Sequence, residues 1–413
     1  MFKNYLLTAY AVFMRRKLFT AINLLCIVLT LVVLMVVTAL LQNLFYPTGV
    51  EGKSERFLQI LIIDARSPDG KSQRTSPLGY KVIEKYLKKM QSPQTVAAVT
   101  MPRTVSVYQA GRVSELEMRR ADADYWTILD FTLLAGRLPT RADDEGARLV
   151  AVINASSARK LFPDGAAVGQ SLQAGGQQFT VIGVVQDEMQ LNAYADIWVP
   201  ITSFPSSDYR NQFYGDFAAL LLAKDKADLA LIREEVQLIA KNLEFDDAKV
   251  WKTARFYADD KLDVIARSSI GNNDSSESGA ARMMGMIVGV MLLFMLLPAL
   301  NLVNLNTGRI LERSAEIGVR KAFGATSADL IGQLIFENLL LCLVGGVLGL
   351  VCTQGVLWWL EQSNLIPYLR VQINFAVLGY GLLITTVFGL LSGVLPAWKM
   401  ARLDPVFALK GNA

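Results

Sequence analysis

A chain of 413 residues that is 52% hydrophobic, with a positive mean hydropathy, holds more apolar surface than one soluble core uses, so membrane spans are the first expectation. The complete lack of histidine excludes His-based triads, His metal ligands and His pH switches. The formal charge of +4 is small and lies mostly beside apolar runs, where it reports topology; it gives no basis for nucleic-acid binding.

In chain order, residues 1–17 place Phe2, Leu6, Tyr10 and Phe13 at helical spacing beside Arg15, Arg16 and Lys17. This reads either as an amphipathic helix on the inner membrane surface or as a cytoplasmic extension of the first span. The run Leu18 to Leu41 has no acidic or basic residue and is long enough to cross a hydrocarbon core, giving a first span over 18–43. It is too long for an ordinary signal-peptide core, and no small-x-small cleavage site follows it before Leu44, so an uncleaved span is expected.

Residues 44–282 are polar and nearly balanced in charge, and should form an extracytoplasmic α+β domain. Phe57 to Ile63 suits one buried strand, Tyr80 to Met90 a short helix, and Thr104 to Tyr108 with Val113 to Met118 a hairpin. Asp122 or Asp124 can cap a short helix carrying Tyr125 and Trp126; Gly136 ends a segment; Leu149 to Ile153 is a strand; Asn154 caps a helix ending at Phe162. Gly175 and Gly176 turn into the strand Phe179 to Val185, and Ile197 to Ile201 is another strand. The helix Lys226 to Leu243, with Leu229, Ile232, Val236, Ile239 and Leu243 on one stripe, should cover the sheet begun before residue 120. That makes about 121–200 an inserted β-rich subdomain. Ser268 to Ala280 reads as a slack linker.

Further uncharged runs, Met283 to Leu305, Leu339 to Leu360 and Val371 to Trp398, give a second span at 283–305, a third at 333–360 and a fourth at 371–398, with a short external loop at 361–370. The fold class is thus a polytopic α-helical membrane protein with four transmembrane helices and one large external domain between the first two. Basic residues gather in the N-terminal tail, in 306–332 and in the tail 399–413, which places both termini in the cytoplasm by the positive-inside rule. Cys26, Cys342 and Cys352 all fall in spans, so the external domain has no disulfide to rely on. Gly285 and Gly289, Gly345 and Gly349, and Gly389 and Gly393 have the four-residue spacing that lets membrane helices pack closely. No acid or base falls mid-span, which disfavours an ion-coupled carrier or channel.

Between the second and third spans, Arg309 to Asp329 is amphipathic, with Glu316 and Arg320 at a favourable i,i+4 spacing. Gly324 suits a left-handed helix end, and Thr326 can cap the next helix. The expected product is a helix, an elbow and a new helix; on this pattern alone an ordinary solvated loop helix is an equal reading. No catalytic residue or metal-ligand set is nominated. Ser156, Ser157 and Asp187 have turn and capping roles that suffice, and no His or Lys base is placed beside them by a motif.

The segment Glu316-Ile-Gly-Val-Arg-Lys-Ala-Phe-Gly-Ala-Thr326 resembles the EIGxRKAxGA signature of ABC transporter permeases of the MacB/FtsX type. Leu134 to Arg137, Val150 to Ile153, Ala158 to Pro163, Val168-Gly169 and Phe179 to Val185 are similar to the MacB-type periplasmic core, and Pro396 to Leu409 to the family's ending. The resemblance implies that Arg313, Glu316, Ile317, Gly318, Arg320, Lys321, Phe323, Gly324 and Ala325 form a helix that docks on an ATPase. It also implies a multi-pass inner-membrane location and a homodimer, or a heterodimer with a second permease. This sequence has no G-x-x-x-x-G-K-[ST] phosphate loop, so the chain itself binds no cofactor, and ATP and Mg are expected on a separate ATPase subunit. Export or extraction of a drug, peptide, siderophore or lipoprotein is the implied function, with a periplasmic adaptor, an outer-membrane channel and membrane lipid as partners. The alternative is an FtsX-like regulator that switches a periplasmic enzyme.

Overall fold

The computed structural model describes residues 17–45, 49–270 apart from 110, 164 and 248, then 276–293, 319 and 326–363, with isolated positions in 10–15 and 379–387. The chain divides into two compact units, Asn43–Met283 and the remainder.

Helix α1, Lys17–Phe45, lies in the second unit up to Gln42 and ends in the Asn43–Met283 unit; its stretch Thr20–Leu41 is apolar and long enough to span a membrane. In the Asn43–Met283 unit the strands are β1 (Phe57–Ile60), β2 (Ile62–Arg66), β3 (Gln73–Pro77), β4 (Thr95–Thr100), β5 (Arg103–Gln109), β6 (Arg112–Ala121), β7 (Leu133–Gly136), β8 (Val150–Asn154), β9 (Ser171–Ala174), β10 (Gln177–Val185), β11 (Ile197–Pro200), β12 (Phe217–Leu222) and β13 (Thr253–Arg255). Its helices are α2 (Tyr80–Lys85), α3 (Tyr125–Ile128), α4 (Arg141–Glu145), α5 (Ala155–Leu161), α6 (Leu229–Lys241) and α7 (Lys261–Ile270). Helix α8, Ala280–Leu293, begins in this unit and ends in the other, and α9, Ser327–Gln362, lies in the other.

An open arm of the main sheet runs β1, β12, β4, β6, and alternation of side chains along these strands buries both of its faces. Leu58, Ile60, Val96, Ala98, Ala219 and Leu221 pack one way, against Ile232 and Val236 of α6. Phe57, Ala97, Val99, Ala218, Leu220 and Leu222 pack the other way, against Tyr125, Trp126 and Ile128 of α3. Helix α6 therefore covers the sheet as its apolar stripe predicts, leaving Leu231 and Leu238 exposed.

From β6 the sheet continues through β11, β8, β10 and β9 to β5, and β5 pairs with β6 again. The six strands close into a ring with its own core of Val107, Leu116, Met118, Ile153, Leu172, Phe179, Val181 and Ile197. The small body is thus a barrel that starts at Arg103 rather than near 121. It is joined to the open arm through one shared strand: β6 pairs with β5 along most of its length and reaches β4 at Ala121.

A second difference concerns Phe57 to Ile63, which is two strands. β1 belongs to the main sheet and β2 to a small sheet with β3 and β13, the chain changing sheets at Leu61. An apolar run carries no mark of such a change, because both halves are buried. The slack linker is also shorter than expected. Helix α7 runs on to Ile270, and Ser278, itself buried, donates to Asp263; residues 271–275 lie outside the described residues.

Candidate functional site

The nine nominated coupling residues, Arg313, Glu316, Ile317, Gly318, Arg320, Lys321, Phe323, Gly324 and Ala325, lie outside the described residues, as do Gly389 and Gly393. Helix α9 starts at Ser327, immediately after Thr326. Its candidate span, Ile335–Gln362, is longer than the uncharged run from Leu339 and takes in Glu337 near its start and Glu361 near its end. Glu337 is buried and accepts from the Gln333 amide at 3.0 Å.

Gly345 and Gly349 of α9 face α1. A Cβ on Gly345 would stand 2.5 Å from Ile27 Cγ2, and one on Gly349 would stand 3.1 Å from Leu31 Cβ. One turn further on, the Thr353 hydroxyl donates to the Gly349 carbonyl at 2.7 Å and lies 3.8 Å from Met35 Sδ. Ile27, Leu31 and Met35 on α1 thus meet Gly345, Gly349 and Thr353 on α9 in matching four-residue steps, the close approach that small residues permit. Around Gly285 and Gly289 a Cβ would meet nothing within 4 Å among the described residues.

The external unit contains a buried polar cluster that no local pattern announces. Glu51, fully buried a few residues after α1, accepts from Lys261 Nζ at 2.9 Å through Oε2 and from the Asn192 amide at 3.0 Å through Oε1. Lys261 opens α7 with its side chain only 7% exposed. The Asn192 carbonyl receives Arg119 Nη1 at 2.8 Å and the Tyr125 hydroxyl at 2.7 Å, while Arg119 Nη2 reaches the Leu191 carbonyl at 3.0 Å. Burial acts to lower the Arg119 pKa, opposed by Tyr125 and Glu51; burial also pushes the Tyr125 phenol above its usual range. Next to this cluster, Arg267 grips Asp259 with two bonds, 2.7 and 3.0 Å, and both are largely buried. Arg233 of α6 reaches Asp260 and Asp263.

Sequence reading passed over Glu51, Lys261, Arg119 and Asn192. The partners Glu51 and Lys261 are 210 positions apart, and a lone charge near a span reads as topology.

Ser156 and Asp187 do meet: Asp187 accepts from the Ser156 amide and hydroxyl at 2.9 Å each, and Arg159 stands 3.6 Å away. Asn154 caps α5 by accepting from the Ser157 amide at 2.7 Å. These are helix-end contacts with no base aimed at either serine, and among the described residues no cluster fit to hold a metal occurs.

Two family models cover the two halves of the chain: a MacB-like periplasmic core domain matches residues 20–239, and an FtsX-like permease C-terminal part matches 288–405. The chain belongs to the MacB/FtsX-type ABC transporter permeases. Among MacB relatives, the macrolide export ATP-binding/permease protein MacB of Chromobacterium violaceum is 26% identical over 288 residues, covering 69% of this chain and 42% of that protein. The chain therefore spans less than half the length of such MacB relatives. The ABC transporter permease YvrN of Bacillus subtilis is 27% identical over 342 residues, covering 80% of this chain and 79% of YvrN. Among solved structures, the periplasmic region of MacB from Actinobacillus actinomycetemcomitans superposes with a TM-score of 0.39 at 17% identity, over 55% of this chain and 96% of that one. The α+β unit Asn43–Met283 thus falls largely within the match to the MacB-like periplasmic core, and the segment from residue 288 within the match to the FtsX-like permease part.

Proposed function

We propose that this chain is the permease subunit of an ABC complex that carries ATP-driven motion across the inner membrane to its periplasmic unit, driving export or extraction of a substrate from the periplasm or outer leaflet. The observation that carries this reading is the coexistence of a MacB-like core and an FtsX-like permease part with the Glu316–Thr326 segment. In this proposal ATP and Mg sit on a separate ATPase subunit, which docks at Arg313, Glu316, Ile317, Gly318, Arg320, Lys321, Phe323, Gly324 and Ala325. Both termini face the cytoplasm, and four spans join that segment to the outside. Small apolar or amphipathic cargo, such as a drug, peptide, siderophore or lipoprotein, suits extraction from a leaflet better than passage through a central polar path.

The test is Glu316→Lys and Gly324→Val in the complex reconstituted with its ATPase. Both variants should insert normally yet lose permease-dependent stimulation of ATP hydrolysis. Stimulation equal to that of the unmodified complex would refute the placement of the docking segment.

A further inference from the structure

The segments of the external unit that follow α1 and precede α8 are tied to each other and to the barrel by the same few bonds. Glu51 links the first segment to Lys261 on the second, and to Asn192 in the loop between β10 and β11 of the barrel. The same two segments meet again where Gln59 and Asp259 exchange backbone hydrogen bonds at 2.8 and 2.9 Å. Further along, Asp259 is held by Arg267, and Asp263 receives Ser278 just before α8 begins. The Asn192 peptide is engaged at both ends, its N–H by Glu51 and its carbonyl by Arg119 and Tyr125.

We infer that Glu51, Lys261 and the Asn192 peptide form a transmission joint, which delivers displacement of the chain segments at the ends of the first and second spans into the periplasmic barrel. The inference rests on the proposed function and deepens it by locating where motion enters the external unit. Two physical points favour a joint over simple stabilisation. Apolar side chains in contact can slide by a fraction of an ångström at little cost, whereas short charge-assisted bonds in a site closed to water hold one geometry. A buried ion pair is also a poor device for stability alone, since an apolar pair of similar volume serves as well or better. Lys261 acts as a positioning residue: it ties the segment before the second span to a carboxylate that already holds the barrel loop.

The experiment uses the full chain reconstituted with its ATPase in lipid nanodiscs and follows amide hydrogen exchange with and without ATP. In the unmodified complex, ATP should change exchange both in α8 and in residues 186–196, the loop that contains Asn192. The variant Lys261→Met cuts the tie on the α7 side while leaving Glu51 its bond to the Asn192 amide and the nearby Arg119 charge. It should shrink the ATP-dependent difference in 186–196 by about fivefold or more and keep the difference in α8. Where Lys261→Met alone fails to fold, the double variant Glu51→Met with Lys261→Met supplies the apolar pair and should give the same separation of the two regions. A purely stabilising pair would alter exchange equally with and without ATP, leaving the nucleotide-dependent difference in 186–196 intact; that outcome overturns the inference. So does loss of the difference in α8 as well, because the interrupted step would then precede the joint. If the unmodified complex shows no ATP-dependent difference anywhere in the permease, the proposed function fails and this inference with it.

Discussion

Substituting Gly345 by alanine tests the close contact between α1 and α9. The new methyl would lie 2.5 Å from Ile27 Cγ2 and 3.1 Å from Ile27 Cβ, whereas carbon atoms rest about 3.5–4.0 Å apart. Ile27 cannot turn away cheaply, since a β-branched side chain in a helix has one strongly preferred rotamer. The helices must therefore part by about 1 Å, and a gap of that size forfeits a quarter to a half of each contact's attraction. Ile27, Leu31, Leu341 and Cys342, which form the buried cluster at this crossing, would all lose contact. Overpacking of this kind costs about 1–3 kcal/mol. The assay is reversible unfolding of the full chain in mixed micelles titrated with denaturing detergent. Gly289→Ala, with nothing near it among the described residues, is the control and should change stability by no more than about 0.5 kcal/mol. Ile27→Ala removes the clashing methyl, so the double variant should be more stable than the sum of the single effects by about 1 kcal/mol or more. A Gly345→Ala as mild as Gly289→Ala, or strict additivity with Ile27→Ala, would refute the crossing.

Adjacent carboxylates on α4 should respond to pH in opposite directions. Burial raises Asp144 to about 6, helped by the neighbouring Asp122 and Asp124 and opposed by the Ala123 amide and Lys88. Its native pKa lies above its unfolded one, so it costs stability increasingly as pH rises from about 4 to 6. Asp144→Asn should therefore raise the melting temperature at pH 7.5, by about 1–2 kcal/mol in stability terms once partial solvent access is allowed for, and do little at pH 4. The Arg137 guanidinium holds Asp143 well below the usual carboxylate range, so its contribution is present above about pH 4 and fades as pH falls further. Asp143→Asn should accordingly lower the melting temperature at pH 7.5, with the deficit narrowing in strong acid. At Gly136 the backbone has φ +75°, and a Cβ would stand 2.1 Å from the Ile182 carbonyl oxygen, across from Gly183 on β10. Gly136→Ala should cost more than Gly111→Ala, which carries only the dihedral penalty of about 1–2 kcal/mol because its Cβ meets open space; equal melting temperatures would count against the close approach.

Local chemistry was readable wherever a bond and its signal lie within a few residues. The Asn154 cap, the Gly175-Gly176 turn between β9 and β10, and the stripe of α6 are all of this kind. The cap near residue 122 was readable too: Asp122 Oδ1 accepts from the Tyr125 amide at 3.1 Å, and Asp124 makes no such bond. What stayed hidden was non-local. Whether β5 returns to pair with β9 is decided by where both strands lie in space, and Tyr108 opposite Gln173 carries no composition signal. The buried triad of Glu51, Lys261 and Asn192 is hidden for the same reason, since each residue alone looks like an ordinary surface polar group.

A sheet arm ending at β6 would present a row of unpaired backbone donors and acceptors, a template for pairing with another chain. By rolling onward into a ring, β6 removes that edge, so the barrel serves as the sheet's own guard against edge-to-edge aggregation. The opposite edge, β1, is closed in part by the backbone exchange between Gln59 and Asp259. A shortened chain without the barrel strands would thus be left with one bare edge along β4 and should precipitate even though the packing of the open arm against Ile232 and Val236 of α6 is retained. Insolubility of such a chain would therefore say nothing about any part the barrel plays in moving cargo.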